Sequence, residues 1–126
     1  MNSVRSLDLR GTHFLVIDDS WKVGKELKAI LEGLGADVAG PVATASEAQD
    51  LVAARTHHIA LVDINFRDME LAYDLIDHLH ERGIRVIIIT GYAALPQRLQ
   101  SVAAIIQKPF TETDLLAVLS RVKGVN

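Results

Sequence analysis

Apolar residues along this chain gather in short unbroken runs, and most runs end on a polar residue. His13-Phe-Leu-Val-Ile17 ends at Asp18-Asp19, and Ile59-Ala-Leu-Val62 ends at Asp63. Arg85-Val-Ile-Ile-Ile-Thr90 stops at Gly91, and Ala103-Ala-Ile-Ile106 stops at Gln107-Lys108-Pro109. Continuous rather than alternating runs predict strands buried on both faces, the habit of parallel sheets. A weaker strand, Asp37-Val-Ala39, is predicted to stop at Gly40-Pro41.

Between the runs the apolar spacing changes to that of a helix. Val23, Leu27, Ile30, Leu31 and Leu34 form one stripe, with Gly35 placed to end it. Thr44-x-x-Glu47 has the form of a capping box ahead of Ala48, Leu51 and Val52. Ala72, Leu75, Ile76 and Leu79 make the next stripe, stopped by Gly83. Thr111-x-x-Asp114 caps a last helix carrying Leu115, Val118, Leu119 and Val122 inward. The stretch from Ala93 to Ser101 holds Pro96 and few apolar residues, so only a short helix or single turn is expected there. Five βα units in series predict an α/β fold, a parallel sheet with helices on both faces.

Composition narrows the chemistry. The 126 residues suffice for one domain, expected to span 1–126 with its core at about 12–123, and Leu9-Arg10-Gly11 reads as the end of a linker. Aromatics are 5%, so the core is aliphatic. With no cysteine, thiolate metal sites, disulfides and a cysteine nucleophile are excluded, and a cytoplasmic setting fits. A net charge of −3 offers no basic face for nucleic acid. The apolar runs are too short to cross a membrane, and the N-terminus has no apolar signal core.

Ligands of open parallel sheets bind outside the carboxyl ends of the strands. The strand assignment therefore gathers Asp18, Asp19, Asp63, Thr90 and Lys108 at one edge. Two like charges 4 Å apart cost roughly 4 kcal/mol at an effective dielectric near 20, which a hard cation would relieve. Oxygen-only ligands favour Mg²⁺ or Mn²⁺ over zinc. A carboxylate beside such a cation and a lysine can attack phosphorus to give an acyl phosphate, with the threonine hydroxyl bonding a phosphoryl oxygen.

On these residues the sequence resembles the receiver domain of two-component response regulators. The motifs are Asp18-Asp19, Asp63, Thr90-Gly91 and Lys108-Pro109, over roughly residues 12 to 123. The resemblance implies a flavodoxin-like, doubly wound five-stranded sheet of order 2-1-3-4-5 with a short fourth helix. It implies that Asp63 accepts the phosphoryl group and that Asp19 and Asp63 ligate Mg²⁺, with Asp18 acting through water and the Asn65 carbonyl completing the set. Thr90 and Lys108 would contact the phosphoryl group, and the Lys108–Pro109 peptide would be cis. The donor would be a sensor histidine kinase or histidine phosphotransfer protein. Output would pass through a downstream protein, with a homodimer as one candidate assembly. Gly40-Pro-Val-Ala-Thr44, Thr90-Gly-Tyr92 and Gln107-Lys-Pro-Phe110 are similar to a subgroup common in alphaproteobacteria.

Three departures stand out. The family's switch aromatic, three residues before the lysine, is Ile105, and Tyr92 is the nearest substitute. The loop Ile64-Asn65-Phe66-Arg67-Asp68-Met69-Glu70 lacks the usual Pro and Gly, and the span from Thr90 to Lys108 is short. The alternatives are a degenerate receiver that only docks, or a small Mg²⁺-dependent aspartyl-phosphate phosphatase. The phosphatase needs an acid where Asn65 stands. A nucleotide or flavin module lacks its Gly-rich phosphate loop. The histidines (His13, His57, His58, His78 and His80) lack the i, i+4 spacing of a helical metal site and are expected to be structural or solvated. Trp21 is expected to pack near the start of the first helix.

Overall fold

The computed structural model describes residues 7–64, 69–91 and 102–124. Among these, strands β1 (His13–Ile17), β2 (Asp37–Val42), β3 (Ile59–Ile64), β4 (Arg85–Thr90) and β5 (Ala104–Gln107) alternate with helices α1 (Trp21–Gly33), α2 (Ala45–Ala54) and α3 (Met69–Glu81). Helix α4 (Glu112–Gly124) follows β5. All strand pairings are parallel and the order is β2-β1-β3-β4-β5. The short helix expected between Ala93 and Ser101 lies outside the described residues.

Each strand sends successive side chains to opposite faces, and both faces are covered. Phe14, Val16, Leu61, Ile87 and Ile89 meet Leu27 and Leu31 of α1 and Leu115 and Leu119 of α4. Leu15, Ile17, Val62, Val86 and Ile88 meet Ala48 and Val52 of α2 and Leu75, Ile76 and Leu79 of α3. This two-sided burial is the physical origin of the unbroken apolar runs.

The helix signals act as read. Ser20 caps α1, its Oγ accepting from the Val23 amide, and Gly35 follows the helix at a φ of +98°, where a side chain would be strained. Thr44 accepts from the Glu47 amide at 3.1 Å, while the Glu47 carboxylate reaches back to the Ala43 amide at 3.3 Å. Thr111 and Asp114 cap α4 reciprocally, at 2.9 and 3.1 Å.

Three expectations change. β2 does not end at Ala39 but continues through Gly40 and Pro41 to Val42. It does so by bulging: Leu15 pairs with Ala39 and Ile17 with Val42, so two steps of β1 face three of β2. Leu9 is no linker residue but lies fully inside the core, its amide bonded to Leu34 O at 2.9 Å. Trp21 does not pack inward. It is 65% exposed, with Lys25 Nζ 5.8 Å from its ring centroid.

Candidate functional site

The three acidic strand ends converge. One carboxylate oxygen each from Asp18, Asp19 and Asp63 lie within 4.8 Å of one another. Asp18 and Asp19 follow β1, and Asp63 sits in β3, the adjoining strand. The next strand, β4, ends in Thr90, which is buried and registers beside Ile64, one residue beyond Asp63. Lys108 follows β5, where its amide bonds Thr90 O at 2.7 Å. Four neighbouring strands thus deliver one constellation, as their shared direction requires.

Local bonds fix each group. The Asp18 amide donates to Val42 O at 2.9 Å, and one Asp18 carboxylate oxygen accepts from the Ser20 amide at 2.8 Å. Lys108 Nζ donates to both Asp63 oxygens, at 2.9 and 3.0 Å. The Lys108–Pro109 peptide is cis, as the resemblance implies. Asn65 and Tyr92 lie outside the described residues.

The electrostatics are unbalanced. Asp18 is 3% exposed, and burial pushes its carboxyl up to about 7. The Ser20 amide opposes that shift, the Asp63 charge adds to it, and Lys108 offsets part. The second oxygen of Asp18, Oδ2, is buried with no hydrogen-bond partner. A carboxylate facing another can bond it only if one of them holds a proton, so a cation is the alternative that satisfies both. With three oxygen donors and no nitrogen or sulfur, the donor set fits a hard divalent ion such as Mg²⁺.

A cavity of about 200 Å³ adjoins the acids, walled by Ala43, Thr44, Ala45, Ile64, Ala72 and Leu75 among others. The sequence reading missed this wall, because small residues at a helix start carry no chemical signature. Ile105 is 47% exposed on edge strand β5, so an apolar side chain stands outward at the switch-aromatic position. The histidines at the start of β3 lie at the opposite end of the sheet. His57 is buried with Nε2 3.0 Å from Leu51 O, and His58 accepts from the His13 amide at 2.8 Å. These contacts give both a structural part.

Comparison with known proteins agrees with this geometry. Residues 14–120 match the model of the response regulator receiver domain. The chain is 32% identical over 117 residues to the phyllosphere-induced regulator PhyR of Methylorubrum extorquens, covering 87% of this chain and 43% of that protein. It therefore spans less than half the length of that relative. A CheY-like receiver domain protein from Methanospirillum hungatei superposes with a TM-score of 0.75 at 30% identity, covering 89% of this chain and 94% of that one. The non-phosphorylated HemR receiver domain of Leptospira biflexa superposes with a TM-score of 0.79 at 25% identity, over 91% and 96%. No described helix is long and apolar enough to cross a membrane. With its sheet order, its acid cluster and its lysine bound to the central aspartate, the chain belongs to the response regulator receiver domain family.

Proposed function

We propose that this domain is a signalling switch that takes a phosphoryl group onto Asp63 from a phosphohistidine of a sensor kinase or histidine phosphotransfer protein. The observation that carries this reading is the Asp63 carboxylate, held by Lys108 on one side and crowded by Asp18 and Asp19 on the other.

An Asp63 oxygen attacks phosphorus in line, forming the P–O bond as the P–N bond to the donor imidazole breaks. Lys108 moves from the carboxylate to a phosphoryl oxygen, and Thr90 donates to another. Asp18, Asp19, Asp63 and the Asn65 carbonyl would hold Mg²⁺, which neutralises charge on the transferring group when bound. The domain catalyses only its own charging and discharging, and passes the signal by protein contact or onward phosphoryl transfer. Exposed Ile105 in place of an aromatic favours a readout that does not depend on burying a ring.

The test is to incubate the protein with acetyl phosphate or phosphoramidate, with and without Mg²⁺, and to weigh it intact. A single Mg²⁺-dependent adduct that vanishes in Asp63→Asn is expected. No adduct under any condition overturns the proposal in favour of a docking module. Steady turnover of an external phosphate ester would show a phosphatase instead.

A further inference from the structure

The bulge in β2 and a notch in α1 meet directly behind Asp18. At Gly40 the backbone has a φ of +99°, and an added Cβ would lie 2.5 Å from Val16 O. Pro41, the next residue, seats on α1 where Gly24 has no side chain. A Cβ at Gly24 would come within 2.5 Å of Pro41 Cβ, 2.9 Å of Pro41 Cγ and 3.7 Å of Asp18 Cβ. One turn further along α1, Lys28 Nζ bonds Gly40 O at 3.2 Å and ties the bulge to the helix. The extra residue also carries Val42 O to the point where it accepts the Asp18 amide.

These contacts stack in one direction. Lys28 and Gly24 hold Gly40-Pro41, the bulge sets Val42, and Val42 sets the backbone of Asp18. A regular β2 would offer a different carbonyl to that amide, because a one-residue shift exchanges the inward and outward positions of a strand. Buried Asp18 Oδ2 has no partner of its own, so its direction depends on this backbone support and on the Ser20 amide.

We propose that Gly24, Lys28 and the Gly40-Pro41 bulge form a positioning device that aims the Asp18 carboxylate at the cation site. The proposal rests on the reading of the acid cluster as a cation site, and the test separates the two. Mn²⁺ serves as the probe, its free concentration read by electron paramagnetic resonance. Exchange of the Asp18 amide is followed in metal-free protein, with the Leu61 amide as reference. Lys28→Met and Gly24→Ala are each expected to weaken Mn²⁺ binding by about tenfold, the usual cost of losing support behind a metal ligand. Both are expected to speed Asp18 exchange while leaving Leu61 unchanged. Should Gly24→Ala fail to fold, Lys28→Met, which adds no clash, carries the test. Unchanged Asp18 exchange overturns the proposal. Faster exchange with Mn²⁺ affinity within about twofold of wild type overturns the link to the cation site. Wild-type protein that binds no Mn²⁺ overturns the cation-site reading itself, and amide exchange then decides the positioning claim alone.

Discussion

The ammonium of Lys108 spans the Asp63 carboxylate, 2.9 Å from one oxygen and 3.0 Å from the other. In the proposed reaction the lysine holds the group that would become the nucleophile, so it would have to leave one oxygen before that oxygen attacks. Lys108→Ala should form the Asp63 adduct with acetyl phosphate more slowly by roughly 10²-fold, the cost of losing one charged donor at a developing oxyanion. A time course of intact mass checks this, and an unchanged rate would remove Lys108 from the chemistry.

The acid cluster predicts an inverted pH response. Asp18 is raised from 3.8 to about 7, so between these values the folded chain keeps a proton that the unfolded chain has released. That contribution is fully present below about 4 and is lost as pH rises through 7. Without metal, stability should therefore fall from pH 5 to pH 8. Asp18→Asn should flatten the slope and stabilise the metal-free protein at pH 8 by about 1–2 kcal/mol. Urea midpoints at the two pH values test this, and a steeper slope in the variant would contradict it.

Divalent metal should oppose this trend. A cation stabilises the same carboxylates that burial disfavours, and below pH 7 it competes with the Asp18 proton. The rise in thermal midpoint on adding Mg²⁺ should be larger at pH 8 than at pH 5.5, and absent in Asp63→Asn/Asp18→Asn. Equal rises in all cases would place the ion elsewhere.

The helix caps and the core follow ordinary rules. Thr44→Ala and Thr111→Ala each remove an acceptor from a helix N-terminus and should cost about 1 kcal/mol. Leu61, fully buried in the central strand, should cost about 2–5 kcal/mol on change to Ala. Denaturant titration at pH 7 measures all three, and none should alter the Mg²⁺ requirement for phosphorylation.

The strands were legible because two-sided burial leaves no room for polar residues between Phe14 and Ile17 or between Val86 and Ile89. The site was legible for the same reason: polar residues directly after such runs fall at one sheet edge. What escaped the reading depends on backbone geometry. Gly40-Pro41 reads locally as a stop, yet β2 absorbs the pair as a bulge seated on Gly24. Leu9 lies between Asp8 and Arg10 in too short an apolar stretch, Leu7 and Leu9, to mark an element, though the structure buries it in the cluster shared with α1 and α4. Trp21 reads as a packing residue by its chemistry. It is nonetheless 65% exposed at the first residue of α1, outside the stripe of Gly24, Leu27 and Leu31 that the helix buries.

The Asp63 side chain is only 6% exposed. If the proposed acyl phosphate forms on it, that enclosure would slow water as well as donors, and the depth of Asp63 behind Lys108 would act as a clock, setting how long the message persists after its sender falls silent.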